Sequence, residues 1–276
     1  MKFLSKFYIA IIFLLLYAPI LVVVLFSFNQ SGSLSSFSTF SLKWYRELFR
    51  DGEALVALKN SLFLAVASSL LATVLGTLAA FTIDRSKRQW MAKTLQSVNN
   101  IPMMNPDIVT GVSMMLLFVG VASMLKTANF LGMWTMLIAH TTFNLPYVTL
   151  SVLPKFRQMD KHLTEAALDL GCTPAQTFFR VELPFILPGV ISGLMMSFTL
   201  SLDDFVISHF VSSPDFKTLP LYIYNQTAHE VKFSMYALCT MIIFVILFLL
   251  IAVNLAGSAG EKKNRKKQKS GVKGVR

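Results

Sequence analysis

Residues 153–185 read LPKFRQMDKHLTEAALDLGCTPAQTFFRVELPF, a charged stretch set between two long apolar runs. Within it Leu163, Ala166, Ala167 and Leu170 recur at i, i+3, i+4 and i+7, while Glu165 and Asp169 share another face four residues apart. That spacing predicts a short amphipathic helix. Gly171 closes it, because glycine takes the left-handed conformation that ends a helix without steric cost. Thr173-Pro174-Ala175-Gln176 then matches a capping box, with Thr173 as cap, Pro174 at the first helical position and Gln176 reaching back. The stretch is read as helix, tight turn, helix. A helix of two or three turns is marginal alone, so its apolar stripe needs a partner. Either it packs on the ends of the neighbouring apolar helices or it docks on another protein.

The flanks decide the fold class. Of 276 residues 54% are hydrophobic and only 14% charged, and the mean hydropathy is +0.61, well beyond what the core of a soluble domain of this length requires. Runs at 7–28, 61–83, 108–125, 185–211 and 235–256 are each long enough to cross a hydrocarbon layer, and 130–153 is a sixth despite His140, Asn144 and Pro146. The chain reads as an all-α, polytopic membrane protein with six transmembrane helices. Residues 1–60 form a first helix and an outer surface segment, 61–256 the main membrane domain with the loop 154–184, and 257–276 a basic tail.

Lys and Arg set the orientation, since positive residues in short loops remain cytoplasmic. With the amino terminus inside, 18 of the 25 Lys and Arg fall on inner segments, so both termini and the loop 154–184 are expected in the cytoplasm. The run EKKNRKKQKSGVKGVR supplies much of the +11 net charge. Beside a membrane helix such a run marks topology and attracts anionic head groups; it lacks the aromatic platforms and folded reader of a nucleic-acid partner. Residues 1–28 lack a small-x-small cleavage site after the apolar run and are read as an anchor helix. Cys172 and Cys239 have neither disulfide nor metal spacing.

EAALDLGCTPAQTFFRVELP, residues 165–184, resembles the EAA, three residues, G, nine residues, I-x-L-P pattern of permease subunits of bacterial ABC importers, with Val181 in place of Ile. Glu165, Ala166, Ala167, Gly171, Leu183 and Pro184 fall on it. FSLKWYRELF, NPDIVTGVS, AHTTFNLPYV and SFTLSLDDFVIS are similar to segments of spermidine/putrescine permeases of the PotC type. The resemblance implies the type I (MetI-like) permease fold in a bacterial inner membrane. It also implies a second, homologous permease as partner, an ATPase dimer that binds ATP and Mg²⁺ and is docked through the helix around Glu165–Gly171, and an extracytoplasmic binding protein that delivers a polyamine. Consistent with that division of labour, the sequence contains no G-x-x-x-x-G-K-[ST] phosphate loop, and no cofactor is expected in this chain.

Acids inside membrane helices are costly and default to functional hypotheses. Asp203 and Asp204 lie in the fifth apolar run, and on a continuous helix they would point about 100° apart in its outer half. One would face a pathway for ammonium groups while the other paired with Ser201, Ser208 or a neighbouring subunit. Asp107, after Pro106, is read as a further buried acid beside a loosened helix start. The alternative for all three is that they merely hold helices together. Trp44 either caps the outer mouth, stacking on an ammonium, or is an interfacial belt residue; His140 is read as a hydrogen-bonded packing residue. The fourteen methionines are assigned to adaptable packing. An intramembrane aspartyl protease built on Asp107 with Asp203 or Asp204, a channel, and an importer of another small solute are the rival readings. A zinc protease is excluded, because His229-Glu230 has no second histidine at the required spacing.

Overall fold

The computed structural model describes residues 2–33, 36–127, 131–227, 232–248 and 251. Every regular element among them is helical: α1 (Lys2–Ser27), α2 (Lys43–Leu48), α3 (Gly52–Arg85), α4 (Gln89–Met104), α5 (Asp107–Leu125), α6 (Met133–Gln158), α7 (Lys161–Asp169), α8 (Pro174–Thr177), α9 (Leu183–Asp203), α10 (Val206–Val211), α11 (Leu219–Thr227) and α12 (Phe233–Phe248). A π-helical turn, Phe178–Glu182, joins α8 to α9. Five helices or runs are long and apolar enough to span a bilayer: Lys6–Ser27, Gly52–Arg85, Asp107–Leu125, Met133–Gln158 and Pro174–Asp203. α12 begins where the sixth span is predicted; Ile251 apart, the rest of that span and the basic tail 257–276 lie outside the described residues.

Two compact units divide the chain: Met1–Leu55 with Asn225–Arg276, and Val56–Tyr224. In the first, the serine-rich segment folds around the buried Asn29. Its amide nitrogen donates to the carbonyls of Ser33 (2.9 Å) and Ser36 (2.8 Å), and its amide oxygen accepts from the Ser38 N–H (3.0 Å). The Trp44 indole N–H donates to the Asn29 carbonyl at 2.6 Å, and its ring lies 5.4 Å from that of Phe233.

In the second unit α6 runs through the core and α9 lies antiparallel to it. His140 faces Ser201, Val148 faces Gly193 and Val152 faces Gly189, the two helices stepping by equal numbers of residues in opposite directions. Glycine permits this approach: a Cβ on Gly193 would stand 3.1 Å from the Val148 Cα, and one on Gly189 2.8 Å from the Ser151 carbonyl oxygen. Between membrane helices, close packing at small residues replaces the hydrophobic drive available in water. One apolar cluster, including Ala80, Ile83, Val152, Phe156 and Ile186, packs near the end of α3; another, including Leu64, Phe118, Met136, Phe143 and Ile207, packs around α10.

Two elements differ from the sequence reading. The fifth apolar run is not one helix to residue 211: α9 ends at Asp203, Asp204 is extended (φ −65°, ψ 118°), and α10 begins at Val206. The segment after the basic loop at 84–90 also forms a regular helix, α4, whose Met91, Leu95 and Val98 line one exposed face at i, i+4 and i+7. α4 is held to the far end of α6 by Arg157, which donates to the Gln96 side-chain oxygen at 3.1 Å. The helical path then breaks at Asn105-Pro106 before α5 begins.

Candidate coupling loop and translocation site

Local capping builds the loop between α6 and α9. The Asp160 carboxylate accepts the His162 N–H at 3.0 Å to start α7. α7 ends with bonds from the Gly171 N–H to the Leu168 carbonyl (2.9 Å) and from the Cys172 N–H to the Ala167 carbonyl (3.1 Å), with Gly171 at φ +85°. This is a Schellman closure, in which the left-handed residue is almost always glycine. The Thr173–Gln176 capping box forms in both directions, at 3.0 and 3.3 Å. Pro184 lies in the first turn of α9, and Leu183 packs against the cluster near the end of α3.

Of the apolar stripe of α7, Ala167 alone packs on its own chain. Leu163 is 48% and Leu170 86% exposed, and Glu165 and Ala166 are also exposed, while Thr164 and Ala167 turn inward. An exposed apolar face bounded by charge marks an interaction surface. Beneath it lies a residue the sequence reading missed. Glu182 in the π turn is 1% exposed, and its carboxylate forms an ion pair with Arg85 at the end of α3 and accepts the Thr164 hydroxyl of α7 at 3.2 Å.

At the α9–α10 break the two neighbouring aspartates part company. Asp204 turns into the protein, its side chain 8% exposed, and accepts from the N–H groups of Ile207 (3.3 Å) and Ser208 (2.8 Å). His140, 1% exposed, brings Nε2 within 3.4 Å of the same carboxylate and 3.2 Å of the Ser208 hydroxyl. Its Nδ1 is 2.8 Å from the Ser201 hydroxyl, which is 2.9 Å from that of Ser68. One proton arrangement satisfies the row: Ser68 donates to Ser201, Ser201 to Nδ1, and Nε2–H to the Ser208 hydroxyl, with the Asp204 carboxylate beside it. His140 is thus the hydrogen-bonded packing residue expected, and Ser201 is buried in its row rather than set on an open surface. Asp203 is exposed and makes no hydrogen bond or ion pair among the described residues.

Asp107 is exposed, not buried as expected; it is the first residue of α5, just past the Pro106 break. The start of α10 lies against α5 one turn further on. A Cβ on Gly111 would be 3.5 Å from both the Ile207 Cα and the Val206 carbonyl oxygen. The structure therefore brings Asp107 and the Asp203–Asp204 pair to adjoining helix breaks. Beside them the Phe205 ring lies tilted against Tyr224 at 4.6 Å and against His209 at 5.4 Å; these rings were not singled out, because their spacing in sequence crosses the unrecognised break. Trp44 is half-buried in the other unit, fixed by its bond to Asn29.

Residues 72–258 match the family described as binding-protein-dependent transport system inner membrane component. The chain belongs to this family. The permease is 39% identical over 231 residues to the putrescine transport system permease protein PotI of Escherichia coli K12, spanning 84% of this chain and 82% of that one. It is 36% identical over 255 residues to the spermidine/putrescine transport system permease protein PotC of Haemophilus influenzae, spanning 92% and 96%. Its fold is that of type I ABC importer permeases. A chain of a bacterial transporter that imports the polysaccharide alginate superposes with a TM-score of 0.74 over 95% of both chains at 17% identity, and one of the MetNI methionine transporter with 0.58 over 76% of this permease and 99% of that chain, at 16%. The permease is a multi-pass inner-membrane transport subunit.

Proposed function

We propose that this permease forms half of the pathway of an ATP-driven polyamine importer, with putrescine or spermidine as cargo. The similarity to putrescine and spermidine/putrescine permeases over most of both chains carries this reading. The acids support it chemically. Asp203 and Asp107 offer carboxylates to ammonium groups at two adjoining helix breaks, where free backbone carbonyls can also accept from the cation. The rings of Phe205 and Tyr224 suit the methylenes and add cation–π attraction. Asp204 and Ser201 hold the break through His140 and contribute to the pathway indirectly. Trp44 is assigned to the outer surface segment as a candidate mouth residue.

Both termini and the α7 loop face the cytoplasm in this reading, by the positive-inside bias of the loops. There the exposed face of α7 (Leu163, Glu165, Ala166, Leu170) docks on the ATPase dimer, with Ala167, Gly171, Leu183 and Pro184 setting its depth and exit angle. ATP and Mg²⁺ belong to that partner. Closure of the ATPase pair displaces α7, and the attached helices rock between inward-open and outward-open states against a second permease; an extracytoplasmic binding protein supplies the cargo. Residues 61–256 form the permease domain proper, and the tail 257–276 serves as a topology and lipid-surface anchor. In cells lacking their own polyamine importers, co-expression with the partner subunits is expected to restore uptake of labelled putrescine or spermidine, competed by polyamines and not by anionic or neutral solutes. Uptake of another solute class in their place would refute the assignment.

A further inference from the structure

We propose that Glu182 is a positioning residue for energy coupling: its buried carboxylate clamps α7 to the end of α3, so that displacement of α7 moves α3 and α9 with it. Three segments distant in sequence meet at this group. Its Oε1 atom accepts from Arg85, the last residue of α3, and from Thr164, on the inward face of α7, while Glu182 itself ends the π turn that leads into α9. The same junction is bound a second time by aromatic rings. Phe81 of α3 lies 5.4 Å edge-on from Phe178 of the π turn and 5.9 Å from Phe156 of α6, and the Arg85 guanidinium stands 5.4 Å from the Phe81 ring.

Stability alone does not account for a carboxylate here. The Arg85 side chain is 44% exposed, so the pair is only half-buried, and desolvation of the Glu182 carboxylate offsets much of the Coulombic gain. What charge and hydrogen bonds add is direction: they fix one relative placement of the groups they join. The π turn points the same way, since such turns insert an extra residue into a helix and recur at functional sites. Glu182 is exposed to neither solvent nor any docking face, so it acts through the helices it joins rather than by touching a partner.

The inference rests on the docking role of α7 proposed above, and the two fail separately. The complete importer, with its ATPase, second permease and binding protein, is reconstituted in liposomes, and putrescine taken up per ATP hydrolysed is measured. Glu182→Gln keeps the volume and the Thr164 bond but removes the charge. It and Arg85→Gln are each expected to lower the ratio at least fivefold while hydrolysis continues, and the double variant to be no worse than the worse single, because both break one interaction. A parental ratio in the singles, or losses that multiply in the double, overturns the clamp while leaving docking intact. Should Glu182→Gln fail to insert, Thr164→Val and Arg85→Gln decide in its place: a lowered ratio supports the clamp and a parental ratio overturns it. Full coupled transport by Ala166→Arg, a change on the exposed face of α7, overturns the docking role itself and the clamp with it.

Discussion

Asp203→Ala and Asp204→Ala are adjacent, chemically identical changes for which the structure dictates opposite consequences. Removing the Asp204 carboxylate strips an acceptor from the Ile207 and Ser208 N–H groups, at 3.3 and 2.8 Å, and removes the 3.4 Å contact to His140 Nε2, which keeps the Ser208 hydroxyl. A buried donor left unpaired costs about 1–3 kcal/mol, so the two N–H groups, with the lost contact to His140, together cost about 3–5 kcal/mol. At roughly 2–4 °C per kcal/mol for a chain of this size, the melting temperature in detergent falls by about 6–20 °C. Asp203 is exposed and unbonded, and its removal leaves stability within about 0.5 kcal/mol. Its loss is felt by substrate instead. A carboxylate and an ammonium 4 Å apart attract by about 1 kcal/mol in water and about 4 kcal/mol at an effective dielectric of 20, which corresponds to a rise in transport KM of about fivefold to several hundredfold. Thermal melting and concentration-dependent uptake of labelled putrescine measure both effects on the same preparations. Equal loss of melting temperature in the two variants, or an unchanged KM in Asp203→Ala, would refute the division of roles between the aspartates.

Gly171→Val forces a branched residue to φ +85°, a penalty of about 1–2 kcal/mol confined to the α7 exit. The expected result is normal membrane insertion with uptake lost, checked by quantifying the protein in membranes beside transport. Gly189→Val pushes side-chain atoms into the Ser151 carbonyl and the Lys155 side chain, and overpacking of this kind costs about 1–3 kcal/mol; a lowered melting temperature is expected, with any surviving protein impaired. Thr173→Ala removes one capping acceptor at about 1 kcal/mol, and faster proteolytic nicking between residues 170 and 176 is expected without loss of the membrane core.

Features fixed by near neighbours were legible in the sequence. The α7 closure at Gly171 and the Thr173–Gln176 box need only residues within one turn, and both form as read. Spans were legible because bilayer thickness dictates their length. The break at Asp204 was not: SLDDFVIS contains neither Gly nor Pro, and what stabilises the break is a histidine some sixty residues away together with amides that the carboxylate can reach only once the helix has ended. Asp107 was misread as buried for a related reason, since its exposure follows from where α4 stops and α5 restarts. Glu182 gave no signal because its partners, Arg85 and Thr164, lie 97 and 18 residues away. His140 was placed correctly in kind, although the row running from Ser68 to Asp204 emerges only when α3, α6, α9 and α10 are assembled.

Leu170 offers the most exposed apolar side chain on the docking face, at 86%. Putrescine accumulation by liposomes carrying the whole importer is compared with and without ATP, for the parent chain and for Leu170→Glu. ATP-dependent accumulation against a gradient is expected for the parent, with its loss in Leu170→Glu accompanied by dissociation of the ATPase. Equal accumulation without ATP, or an ATPase that remains bound and productive against the charged face, would contradict the coupling of this permease to a separate motor through α7.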